Sequence, residues 1–281
     1  MMKFYAEVPH LSERSAVRAP KQPEFIQEMK GTDVIYIGRE DLVDNVLDVI
    51  CADIKNNNVI LLGEPGIGKT QMARFLAAQI QKGELTDLQG YRVFASTAKD
   101  LIAGAKYVGA KEERIKELFS FLKGVDEEVI LFIDEIWQLI GTGIGERGTT
   151  DIAGTLLTEI EDQGVVVIGA TTPKEGGFLL RNRAFLDRFQ IVEVEPMSQA
   201  ERTEILKAHI RKYQERGISI PDDFAEIISG INLKGGGRSL RKDIDMLGII
   251  VSRMKRKGIS AEQAARERGL LQLDRSPTGD K

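Results

Sequence analysis

Sulfur chemistry is nearly absent from this chain. A single cysteine, Cys51, cannot form a disulfide framework within one molecule. Cys51 falls in a helical apolar pattern and reads as a small buried residue. Two histidines, His10 and His209, are too few for a His-rich metal centre. No apolar run approaches the length of a membrane span, so no membrane partner is expected. The net charge of -4 gives no global attraction to nucleic acid or to an anionic bilayer. Met1 to Lys30 is polar, carries Pro9, Pro20 and Pro23, and lacks the apolar core of a secretory leader. A cytoplasmic location is therefore expected. What remains, 42% hydrophobic and 29% charged residues, is the balance of a soluble globular protein with sizeable cores.

Against these absences one segment stands out: Gly63-Glu64-Pro65-Gly66-Ile67-Gly68-Lys69-Thr70 fits the pattern G-x-x-x-x-G-K-[ST]. The strand-like run Asn58 to Leu62 precedes it. A helical pattern with Met72, Phe75, Leu76 and Ile80 on one face follows. Such a loop turns its backbone N–H groups inward around phosphate oxygens, and the helix N-terminus adds its positive end. Lys69 is then expected on the β- and γ-phosphates and the Thr70 hydroxyl on Mg²⁺. Glu64 to Thr70, with Gln71, form the expected cradle, and the expected ligands are ATP and Mg²⁺.

The chain divides by pattern. Residues 1–33 read as an extended arm, 34–196 as an α/β nucleotide-binding domain, 197–270 as a small helical lid and 271–281 as a flexible tail. Within the α/β part, five apolar runs are predicted strands: 58–62, 92–95, 129–133, 165–168 and 190–194. Helical stretches alternate with them, for example Lys111 to Leu122 with Ile115, Leu118, Phe119 and Leu122 on one face. This predicts a P-loop NTPase fold, a parallel five-stranded sheet covered on both faces. After Pro196 only helices follow. Ser198 with Glu201 forms a capping box, Pro221-Asp222-Asp223 opens a second helix, Ser239 to Lys257 is a third, and Ser260 with Gln263 opens a fourth.

The run Ile130 to Ile133 ends in Asp134-Glu135, placing two carboxylates at a strand's C-terminal edge beside the phosphate loop. Asp134 is expected to hold Mg²⁺ through its water shell, and Glu135 to be the general base for the attacking water. The strand after it leads into Thr171-Thr172-Pro173. Thr172 is chosen over Thr171 as a hydroxyl facing the water or the γ-phosphate; a plain Ser/Thr turn before Pro173 weighs equally. Phosphoryl transfer also needs positive charge on the γ-phosphate. Of Arg181, Arg183 and Arg188, the last directly precedes a strand and is the candidate arginine finger, which would require an oligomer. Gly235-Gly236-Gly237-Arg238 offers another cation, with a solvated helix-start arginine as the plainer reading.

Taken together, these motifs resemble an AAA+ ATPase over roughly residues 34–258. Ile37-Gly38-Arg39-Glu40, Leu101 to Gly109 followed by Glu112-Glu113-Arg114, and Val167 to Thr172 are similar to the first ATPase ring of Clp-type unfoldases and disaggregases. As it stands, the chain is expected to be a standalone single module of that kind. The resemblance implies that Ile37 and Gly38 pack on the adenine. It also implies that Tyr107, flanked by Lys106 and Val108, lies on a pore loop gripping a threaded polypeptide; a packed surface tyrosine is the alternative. A homo-oligomer, a hexameric ring or spiral, with a protein client follows from the same resemblance. A nucleic-acid-associated AAA+ regulator of transposition or replication is the second function, favoured by Arg211, Lys212, Lys255, Arg256 and Lys257. A solvated helical face explains those charges more simply, so a nucleic-acid partner is not expected. A nucleotide-gated scaffold is a third, against which the intact Lys69, Asp134 and Glu135 argue.

Overall fold

The computed structural model describes residues 21–31, 33–52, 54, 56–104, 108–139, 152–179, 181–231 and 240–270. Its sheet has six strands in the order β1-β3-β4-β5-β2-β6: β1 (Gln27–Glu28), β2 (Asn58–Leu62), β3 (Arg92–Thr97), β4 (Val129–Asp134), β5 (Val166–Thr171) and β6 (Phe189–Glu193). β2 to β6 are mutually parallel and are the five strands expected from their apolar runs.

The strand count differs from the expected five. Gln27 and Glu28, read as part of the arm, pair antiparallel with Ala95 and Phe94 at the free edge of β3. Their side chains give no strand signal. The pairing comes from the open row of backbone groups on β3 and from what surrounds it. Ile26 is buried, the Ser96 hydroxyl donates to the Phe25 carbonyl at 2.6 Å, and Arg92 pairs with Glu28 at 2.8 Å.

Strand alternation sorts side chains onto the two faces. Leu131, Ile133 and Val167 join α3 (Ala98–Ile102), α4 (Val108–Lys123) and α5 (Ile152–Gln163) in one core. Ile130, Phe132 and Ile168 join α1 (Glu40–Ile50) and α2 (Lys69–Lys82) in the other. The predicted face of α4 is confirmed, since Ile115, Leu118, Phe119 and Leu122 are all buried. Cys51 departs from expectation. α1 ends at Ile50, so Cys51 caps the helix and is exposed. Two short helices, α6 (Pro173–Leu179) and α7 (Arg183–Leu186), link β5 to β6.

A third core is built mainly from later helices: α8 (Gln199–Glu215), α9 (Phe224–Gly230), α10 (Leu240–Lys257) and α11 (Ala261–Arg266), with Ile220 from the α8–α9 connection. Both predicted capping boxes form, at Ser198/Glu201 and at Ser260/Gln263. Among the described residues no helix is long and apolar enough to cross a membrane.

Candidate nucleotide-binding site

Five parallel strands point their C-terminal ends to one edge, and the site is assembled there. β2 lies between β5 and β6, while its successor β3 lies beyond β5 and β4, so the chain diverges to opposite sides at β2. The loop from Gly63 to Gly68 leaves β2 at this crevice and runs into α2. Gly66 and Gly68 have φ of 78° and 105°, which a side chain would strain. At Gly63 an added Cβ would lie 2.3 Å from Ile67 Cδ1 and 2.7 Å from the Val194 carbonyl. The loop therefore takes this shape with glycine at these points.

Lys69 is buried at 9% exposure, and its ammonium donates to the carbonyls of Gly63 (2.5 Å) and Glu64 (3.0 Å). Burial pulls its pKa below the ordinary lysine value, opposed by the fields of Asp134, Glu64 and Glu175. None of those carboxylates touches it. A buried cation resting on two carbonyls is what a polyanionic phosphate chain requires. Thr70 donates from Oγ1 to Asp134 Oδ2 at 2.9 Å, closing the gap between the loop and β4. A hydroxyl and a carboxylate with room for phosphate oxygens suit Mg²⁺, which keeps several waters and needs few protein ligands. Among the described residues no cluster of three or more His, Cys, Asp or Glu is present.

Glu135 follows β4 with φ of 53°, the one non-glycine residue of positive φ among those described. Its backbone N–H donates to Asp134 Oδ1 at 3.0 Å, and its carboxylate accepts from the Gln138 amide at 2.6 Å. The left-handed backbone turns the two carboxylates apart, one toward Thr70 and one toward Gln138. β5 extends through Thr171, further than the predicted end at residue 168. Thr171 is thus the last strand residue, 2% exposed. Thr172 stands just beyond the strand and donates to Glu175 Oε2 at 2.7 Å. Arg188 lies immediately before β6, pairs with Glu161 of α5 at 2.8 Å and donates to the Ala184 carbonyl at 2.7 Å.

Ile37 is exposed, and Gly38 has φ of 75°. The segment is fastened to α2, because Gln71 donates to the Ile35 carbonyl at 3.1 Å and Tyr36 stacks on Phe75 at 4.8 Å. Burial pushes the Tyr36 hydroxyl up to about 12. Val108 opens α4. Lys106, Tyr107 and Arg238 lie outside the described residues, as do the glycines before Arg238. The partners Gln138, Glu161 and Glu175 were not anticipated. Gln138 and Glu175 each follow their site residue by three positions, the spacing at which a helical turn brings side chains together. Glu161 carries no such signal.

These features define a P-loop nucleotide-binding site. Residues 59–196 match the AAA family, the ATPase family associated with various cellular activities, and the chain carries an AAA ATPase domain. Similar proteins include the chaperone protein ClpB of Porphyromonas gingivalis, 38% identical over 200 residues, covering 70% of this chain and 23% of the relative. ClpB of Pseudomonas putida is 40% identical over 63% of this chain and 21% of its own length. A solved Saccharomyces cerevisiae Hsp104–ADP complex matches with a TM-score of 0.74 at 30% identity, covering 88% of this chain and 45% of that one. The chain thus spans 23% and 21% of these two curated relatives.

Proposed function

We propose that the protein is a Mg²⁺-dependent ATPase of the cytoplasm that assembles into a hexameric ring or spiral and remodels a protein client. The observation that carries this reading is the Thr70–Asp134 contact at 2.9 Å, which joins the phosphate loop to the β4 carboxylates at one edge. Lys69 and the loop N–H groups bind the phosphates of ATP. Thr70 and Asp134 would hold Mg²⁺, whose chemistry when bound is to neutralise charge on the phosphate oxygens. Glu135, oriented by Gln138, takes the proton of the attacking water, and Thr172 orients that water. Arg188 exchanges Glu161 for a phosphate oxygen bound to a neighbouring subunit, and Arg238 supplies charge from its own subunit. The segment Ile37–Gly38 packs on the base, and Tyr107, between Lys106 and Val108, grips the client. Support for the client comes from likeness to ClpB and from a similar Hsp104 structure, 30% identical with a TM-score of 0.71, solved with casein.

Two of the five basic residues that favour the nucleic-acid reading are paired within the chain. Lys212 pairs with Asp33, and Lys257 pairs with Glu267, so part of the basic face is already neutralised within the chain.

The test is ATP hydrolysis measured alone, with an unfolded protein, and with single- and double-stranded DNA. Stimulation by unfolded protein that Tyr107→Ala removes is expected. Stimulation by DNA alone would overturn the remodelling reading. Glu135→Gln should retain ATP binding and lower turnover by about 10²- to 10⁴-fold; near-normal turnover would remove Glu135 as the base.

A further inference from the structure

The stretch from β6 to α8 is the joint between the α/β sheet and the helical core. Its first anchor is the Val194 N–H, which donates to the Leu62 carbonyl at 2.8 Å, at the end of the strand that launches the phosphate loop. Two nearly buried arginines then bind alternate carbonyls of the joint. Arg39, the residue after Gly38, donates to the Glu195 carbonyl at 2.6 Å. Arg202, from α8, donates to the Met197 carbonyl at 3.0 Å. The Met197 side chain in turn lies over the phosphate loop, its Cε 3.5 Å from where a Gly68 Cβ would stand.

Arg202 is more than a local cap. Its Nε lies 2.9 Å from Asp243 Oδ2 on α10, with the two side chains 9% and 3% exposed. Its Nη2 donates to the Ser229 carbonyl at the end of α9 at 3.3 Å. The neighbouring Thr203 hydroxyl meets the Ser229 hydroxyl at 2.7 Å. One planar guanidinium thus fixes α9, α10 and the joint at once, a geometry that the fork of arginine permits and a lysine point charge does not. The side chain over Gly68 leaves a backbone whose carbonyl Arg202 holds, so a shift of that backbone changes its reach over the loop.

We infer that Arg202 is a positioning residue for the nucleotide site: locked by Asp243, it holds Met197 against the phosphate loop and thereby couples the helical core to nucleotide affinity. This rests on the reading of the loop as an ATP site. A buried ion pair can often be exchanged for apolar residues of similar volume without loss of stability, whereas removing one partner strands a charge. The double variant Arg202→Met/Asp243→Leu therefore separates positioning from structure. It is expected to melt within a few degrees of the wild type. Its KM for ATP is expected to rise about tenfold, the equivalent of one lost hydrogen bond, with kcat changed much less. A double variant with wild-type melting and wild-type KM would overturn the inference. If the double variant fails to fold, Arg202→Lys serves: it keeps the charge opposite Asp243 and loses the fork. A folded R202K protein is expected to show the same KM rise, and an unchanged KM would overturn the inference. A wild-type protein that binds no ATP would remove this inference and the nucleotide-site reading together.

Discussion

Lys69 and Arg202 are both cations almost excluded from water, and they are treated in opposite ways. Arg202, in the helical core, has a carboxylate at 2.9 Å and two carbonyls, so its charge is matched inside the fold. Lys69, at the sheet edge, has two carbonyls and no carboxylate in contact. Burying an uncompensated charge costs free energy unless something arrives to match it. The first arrangement is complete in the isolated chain. The second suits the phosphate contact proposed for Lys69, since an anion would match its charge. In the site proposed above the buried charge has no contacting counter-charge, whereas the ion-paired Arg202 acts on that site only through the backbone it holds.

The contrast breaks most sharply in single variants. Arg202→Met should remove the ion pair to Asp243 and the two carbonyl contacts and destabilise the protein by about 3–5 kcal/mol, read by chemical denaturation; a loss below about 1 kcal/mol would mean that the pair is not part of the scaffold. Lys69→Met should do the reverse. Stability without nucleotide should change by less than about 1 kcal/mol, while ATP affinity falls about 100-fold, the scale of one charge-assisted contact. Calorimetric titration checks the affinity, and a marked destabilisation of the free protein would place Lys69 with the scaffold. Asn58 offers a neutral control. It is 3% exposed, accepts from the Val167 N–H at 2.8 Å and donates to the Arg188 carbonyl at 3.1 Å. Asn58→Ala should cost about 1–3 kcal/mol of stability through the unpaired N–H. The smallest effect concerns pH. Because burial lowers the Lys69 pKa, the unfolded chain binds more protons than the folded one between the two values. Stability without nucleotide should rise with pH through that alkaline window, and Lys69→Met should flatten the rise.

Much of the fold and of the phosphate loop is legible in the amino-acid sequence. The strands β2 to β6 are near-continuous apolar runs, and the phosphate loop and Asp134-Glu135 lie at strand ends whose parallel direction forces them to one edge. The capping boxes at Ser198 and Ser260 were equally plain, because their chemistry lies within four residues. What the sequence hid depends on partners far along the chain. β1 is two polar residues whose strand character is conferred by the edge of β3. The Arg188–Glu161 and Arg202–Asp243 pairs span distances over which no local pattern operates. Cys51 misled because its helix stops one residue earlier than the apolar pattern suggests.

The left-handed backbone at Glu135 has an evolutionary consequence. Glutamate is costly at φ of 53°, by about 1–2 kcal/mol, and glycine is not. A change at the second codon letter converts one to the other. Glu135→Gly should thus yield a protein that melts higher, still binds ATP and no longer turns it over. Under selection for folding alone, a lineage would drift downhill to that form. Taken as the base proposed above, Glu135 is a residue that catalysis favours and its backbone conformation disfavours.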